Sequence, residues 1–190
     1  MDEPIIAVYD ANILYPAPLR DLFIRLAQTG LVRAKWTEEI HNEWIRSVLR
    51  VNPMLSLERL QRTRTLMNDA VRDCVVEDYE DLIETLMLPD PNDRHVLAAA
   101  IRSDAELIIT FNLKDFPAEI LSTFDIVALH PDDFLVRLFD TASGDVCAAL
   151  KRQRESLRNP PKSIEEMLAT LDGQGLTQLV ALLRQYTEQL

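Results

Sequence analysis

Two cysteines, Cys74 and Cys147, are all that this chain of 190 residues carries, and they show no metal-type spacing. That excludes a disulfide framework or a zinc ribbon and points to two reduced, buried thiols in a cytoplasmic protein. No apolar run approaches the ~18 residues of a membrane span. The opening Met-Asp-Glu-Pro lacks the basic flank of a secretory signal, so export is not expected. Positive charge is also short: 20 Lys and Arg against 31 Asp and Glu leave a net charge of −11, which argues against a broad polyanion-binding surface. A local one survives in "KRQRESLRNPPK" (151–162), where five positive charges face one negative, although such a run also suits a solvated helix face. The three histidines form no triad: His41, His95 and His130 fall in separate segments and read as structural or exposed. Repeats and low-complexity tracts are absent.

What is present is a hydrophobic fraction of 47%, enough for one generous domain with a sizeable core. Short apolar runs at 5–10, 31–36, 106–112 and 124–130 read as strands. Between them lie helical spacings at 19–29, 38–50, 55–73, 78–87 and 92–103, with Thr37 placed as an N-cap. Strands alternating with helices predict an α/β fold with a short, mostly parallel sheet flanked by helices. From about residue 140 the strands stop. Helices are expected at 131–142, 143–158, 163–172 and 176–189, with Ser163 and Glu166 forming a capping box. The division is a domain over 1–140 and a helical C-terminal extension over 141–190, packed on that domain or on a partner.

Acids are common here, so position has to select among them. In an open parallel sheet, ligands collect beyond the carboxyl ends of the strands. Asp10 ends the first strand, "IIAVYD", where it is either a turn aspartate or a functional group. Asp93 shares a helical face with Val96, Leu97 and Ala100, which aims a carboxylate toward the core. An N-cap role explains its place in the chain but not that direction, and a charge aimed inward needs a partner or a metal. Glu43 borders the apolar stripe of its helix, with Glu39 one turn earlier as its rival. Asp115 follows the strand "ELIITFN", where it also suits an N-cap. Asn12, Thr110 and Asn112 stand beside these strand ends, placed to orient carboxylates or waters. Were the four acids to converge, their repulsion would call for a divalent cation, and an all-oxygen donor set selects Mg²⁺ or Mn²⁺ rather than zinc.

With "VYDANIL", "EEIHNEWIRSVL", "LPDPNDRHVLAAAI" and "LIITFNLKDFP" in hand, the chain resembles PIN-domain proteins, most closely the VapC ribonuclease toxins of toxin–antitoxin pairs. The resemblance covers roughly residues 4–135. It implies a PIN-like fold whose acidic site binds Mg²⁺ or Mn²⁺ and cuts single-stranded RNA by metal-activated water, leaving a 3′-hydroxyl and a 5′-phosphate. Asp10 and Asp93 would be the principal ligands, Glu43 a ligand or water activator, and Asp115 the fourth position. Some relatives carry an acid where this chain has Asn112, so Asp115 or Asn112 completes the site, with Asp90 as a substitute ligand. The resemblance also implies an antitoxin covering the site and a homodimer, with no membrane association. RNA would approach by a restricted basic route, for which Arg94, Lys114, Lys151, Arg152 and Arg154 are candidates. The alternative is a PIN-like scaffold that has lost catalysis. A receiver-like or phosphotransferase domain ranks last, because no D-x-D-x-[TV] follows the first strand.

Overall fold

The computed structural model of the protein describes residues 4–190. Strands β1 (Ile5–Tyr9), β2 (Val32–Lys35), β3 (Leu107–Ile109) and β4 (Val127–Leu129) form one sheet in the order β2-β1-β3-β4, with every pairing parallel. The α/β class with a short parallel sheet is therefore the fold adopted. Ala7, Val8 and Tyr9 at the sheet centre are fully buried, as a strand covered on both faces requires. The paired segments are shorter than the apolar runs around them. Beyond Thr110 the backbone turns out of the ladder, and the Phe111 amide donates to the Asn12 side chain instead of to a strand. That departure opens the carboxyl edge of the sheet.

Among the described residues, ten α-helices surround the sheet: α1 (Ala11–Leu14), α2 (Ala17–Ala27), α3 (Glu38–Val51), α4 (Leu57–Ala70), α5 (Glu80–Ile83), α6 (Arg94–Arg102), α7 (Ala118–Leu121), α8 (Pro131–Ser156), α9 (Ile164–Gly173) and α10 (Thr177–Leu183). Local chemistry starts the longer ones. The Thr37 hydroxyl accepts from the Ile40 amide, and Ser56 does the same for Arg59. Ser163 and Glu166 form the reciprocal capping box read from the sequence. Gly30, at φ +85°, closes the turn after α2 in a conformation that favours glycine. Among the described residues no helix is long and apolar enough to cross a membrane.

α8 breaks where the sequence expects it. Its helical segments on either side of Ala142, which leaves helical geometry (φ −145°, ψ 48°), match those expected at 131–142 and 143–158. Small residues in "TASG" mark the break, and buried side chains pack on both sides of it: Leu135 and Leu138 before it, Val146 and Leu150 after it. The C-terminal stripe packs on the chain's own core. Leu176, Leu179 and Leu183 are fully buried, each worth about 1.5–3 kcal/mol relative to exposure. Phe139 meets Tyr186 edge to face with centroids 5.0 Å apart, and Phe23 of α2 stacks on Phe134 of α8 at 6.0 Å.

Candidate active site

The strand order reverses between β1 and β3, so their carboxyl ends flank the point where a crevice forms. Asp10 sits there, only 6% exposed, and its amide donates to Ile109 of the neighbouring strand. Its carboxylate is fixed from several directions. Oδ1 accepts from the Ala11 amide at 2.6 Å, and Oδ2 accepts from Asn12 Nδ2 at 2.6 Å and Thr110 Oγ1 at 2.7 Å. Asn12 Nδ2 also reaches Thr110 Oγ1, and the Asn112 amide donates to the same hydroxyl. The three supporting residues thus form one network around Asp10. Burial raises the Asp10 pKa, opposed by the bonds from Thr110 and Ala11 and reinforced by the charge of Glu43.

Asp93 closes a single-turn 3₁₀ helix, Pro91–Asp93, ahead of α6. The sequence spacing merges the two into one helix from residue 92, because it does not mark the change of pitch at the proline. Asp93 is half-buried, and its Oδ2 is buried without a hydrogen-bond partner among the described residues. Desolvation, and then the charges of Asp10, Asp90, Asp115 and Glu43, push its pKa up to about 7. Asp90 itself accepts from the Asn92 amide and side chain.

Glu43 comes from α3, where the Thr37 cap and the buried Ile40 and Trp44 set the helix rotation. A cleft of about 710 Å³ is lined by Asp10, Asn12, Glu43, Asp93 and Asn112. Asp115 stands one hydrogen bond back, accepting from Asn112 Nδ2. Among the described residues, no three of the four expected acids bring ligand atoms within 4.8 Å of one another. That spacing suits a hydrated cation, since Mg²⁺ keeps several of its waters. The donor set fits such an ion: it is all oxygen, it includes the unpartnered Asp93 Oδ2, and its acids repel one another.

Arg94, Lys114, Lys151, Arg152 and Arg154 lie outside the cleft lining. Arg154 donates to the carbonyl of Leu190, and Lys151 and Arg152 are exposed on α8. The cleft holds other basic side chains, Arg46 and Arg50 of α3, together with Tyr15 and Ser47. Helical spacing carries the signal for them: three, four and seven residues beyond Glu43 fall on its own face. The dense basic run at 151–162 is the more conspicuous feature of the sequence.

The histidines divide. His41 is fully buried and structural: Trp44 Nε1 donates to its Nδ1 at 2.9 Å, which leaves Nε2–H to bond Asn68 Oδ1. Burial lowers its pKa. His130 caps α8, its Nδ1 accepting from the Asp132 amide. His95 is different. It is 4% exposed, and its Nε2 lies 3.1 Å from Glu43 Oε1. Burial lowers its pKa, but the bond to Glu43 and the charges of Glu43, Glu39 and Asp10 outweigh that and raise it.

Comparison with known proteins gives the family. A PIN domain family model matches residues 7–114. The chain belongs to the PIN-domain family. A second model, described as the VapC50 C-terminal domain, matches residues 131–185, a span that begins with α8. This PIN-domain chain is 41% identical over 103 residues to a protein of Mycobacterium tuberculosis named "Putative ribonuclease VapC50". The matched region is 54% of this chain and 60% of that protein's length. No solved structure matches the PIN-domain chain.

Proposed function

We propose that the protein is a divalent-metal-dependent endoribonuclease that hydrolyses single-stranded RNA, and that it is the cytoplasmic toxin of a toxin–antitoxin pair. The observation that carries this reading is the convergence of Asp10, Glu43 and Asp93 on one cleft, with a buried Asp93 oxygen left unpartnered. The relative named as a ribonuclease supports the activity class.

Asp10, Asp93 and Glu43 would hold Mg²⁺ or Mn²⁺, with Asp115 acting through Asn112. The bound ion supplies a water of lowered pKa and offsets charge on the phosphate. The chain does the rest. Thr110, Asn12 and the Ala11 amide fix both oxygens of Asp10, so the carboxylate has no reorganisation to undergo. Glu43, held by His95, is placed to orient the attacking water or accept its proton. Water oxygen bonds to phosphorus, the P–O3′ bond breaks, and the leaving oxygen takes a proton. The products carry a 3′-hydroxyl and a 5′-phosphate. An antitoxin segment with a basic side chain would suit the same acidic cleft, and a homodimer is the proposed assembly.

The test is cleavage of a labelled single-stranded RNA with Mg²⁺, Mn²⁺ or EDTA, using the wild type, Asp10→Asn and Asp93→Asn. Metal-dependent cutting reduced by at least about 10³-fold in both variants is expected, since each substitution removes an anionic ligand. Cutting that survives EDTA and both substitutions defeats the mechanism. A wild type that binds RNA without cutting it would favour the scaffold reading.

RNA enters past Arg46 and Arg50, with Arg94, Lys114 and the 151–154 cluster further out along its path. Reversing the charge of Arg46 and Arg50 should weaken binding and reduce the salt slope by about 0.7 for each phosphate that is no longer neutralised. Reversal of Lys151, Arg152 and Arg154 should do less. Equal effects from the two sets, measured by salt-dependent RNA titration, would refute this path.

A further inference from the structure

His95 poses a problem that the nuclease reading does not solve. Its ring lies edge-on between two carboxylates, with Nε2 at 3.1 Å from Glu43 Oε1 and Nδ1 at 3.9 Å from Glu39 Oε2. Glu43 accepts, so the hydrogen on the Nε2 side is accounted for. Nδ1 then has no hydrogen-bond partner among the described residues, although it is buried. In the neutral tautomer it turns a lone pair toward another anion. In the protonated ring its N–H faces an oxygen too far away for a hydrogen bond. Neither state satisfies the atom.

A cation shared by Nε2 and Glu43 does: it takes the Nε2 lone pair, fixes the ring proton on Nδ1, and turns that N–H toward the half-exposed Glu39 carboxylate, which can swing in to accept it. Ligand bonds of about 2.0–2.2 Å place two ligands of one ion roughly 3–4 Å apart, and the 3.1 Å between Nε2 and Glu43 Oε1 falls in that range. One ligand atom from each of Glu39, Glu43 and His95 can be chosen so that all lie within 4.8 Å of one another. The two glutamates are also i and i+4 on α3, a like-charge pair that destabilises a helix unless something positive stands between them. Glu39 is half-exposed, which gives an ion a way in from solvent.

We propose that Glu39, Glu43 and His95 form a second divalent-cation site, and that its imidazole selects a borderline transition ion of the Zn²⁺ type over Mg²⁺. It adjoins the acidic cleft and shares Glu43 with it, so an ion there withdraws Glu43 from the cleft. Zn²⁺ should therefore inhibit any Mg²⁺-dependent activity of the cleft. The site needs only the geometry of the three side chains and would hold its ion whether or not the cleft is a nuclease.

Co²⁺ serves as the spectroscopic probe and Zn²⁺ as its competitor, titrated into the full chain by visible absorption and calorimetry. The wild type should bind one Co²⁺ with the absorption of a nitrogen-and-oxygen site, displaced by Zn²⁺ and not by Mg²⁺. Glu39→Gln, at an exposed position that leaves the core untouched, should weaken this binding by about 100-fold. His95→Gln, checked for folding by circular dichroism, should abolish the absorption. Asp93→Asn, which impairs the proposed nuclease centre, should keep it, so loss of RNA cleavage and loss of this site are separately visible. Wild-type binding no stronger than that of Glu39→Gln, or Co²⁺ displaced equally by Mg²⁺, would overturn the site.

Discussion

Asp93→Asn is expected to inactivate the protein and, in the same sample, to raise the melting temperature of the metal-free chain at pH 8. Both effects come from one carboxylate. Desolvation and four neighbouring acids hold the Asp93 pKa at about 7, far above an ordinary aspartate. An acid whose pKa is raised on folding is protonated more readily in the native state. Its contribution is therefore intact at low pH and is lost as pH rises through the native value. For Asp93 the loss runs from about pH 4, the ordinary aspartate value, to about pH 7. The full shift would correspond to about 4 kcal/mol. Asp93 is only half-buried, and solvent screening reduces the expected gain of the asparagine variant to about 1–2 kcal/mol. That is a rise of roughly 2–8 °C in a chain of this size. At pH 5 the difference should shrink, because the wild type is then largely protonated. Added Mg²⁺ should reverse the order, stabilising the wild type and leaving the variant nearly unmoved. Differential scanning fluorimetry at both pH values, with EDTA or Mg²⁺, reads all four conditions. An asparagine variant that melts below the wild type in EDTA at pH 8 would show that Asp93 is not a strained acid awaiting a cation.

This behaviour is partly legible in the sequence. Asp10 is found by its place at a strand end, and Asp93 by the apolar face it shares with Val96 and Leu97, because both signals are local and periodic. Thr110, Asn12 and Asn112 follow from Asp10, since they stand where strand ends must turn. The approach of His95 to Glu43 is not legible: the two are 52 residues apart, and nothing local marks a histidine on α6 as facing a glutamate on α3. Arg46 and Arg50 are within reach of helical spacing, but the charge run at 151–162 has the larger signal and lies outside the cleft. The break in α8 at Ala142 is legible too, because "TASG" lacks strong helix formers and the backbone leaves helical geometry there.

Asp132→Ala is expected to cost about 3 kcal/mol and to lower the melting temperature by roughly 6–12 °C. In the sequence Asp132 looks like an ordinary first-turn acid of α8, suited to the helix dipole. In the structure it is 2% exposed, and its carboxylate reaches across to α10. Oδ2 accepts from the Gln178 amide at 2.8 Å and Oδ1 from the Leu179 amide at 2.9 Å. Leu176, at the N-cap of α10, supplies no side-chain bond, so Asp132 caps that helix from another element. Alanine would leave the buried Leu179 amide unpaired, take the acceptor from the Gln178 amide, and remove the charge that faces the positive end of α10. Asparagine keeps one acceptor and should recover about half of the loss. Amide exchange separates this from general unfolding. Protection should fall first in α10 and α9, while β1 and β3 keep theirs until the global transition. RNA cleavage should persist below the melting temperature, because Asp10, Glu43 and Asp93 are held by β1, α3 and the 3₁₀ turn before α6. A variant that melts within about 1 °C of the wild type would mean that burial of Leu176, Leu179 and Leu183 holds the extension unaided.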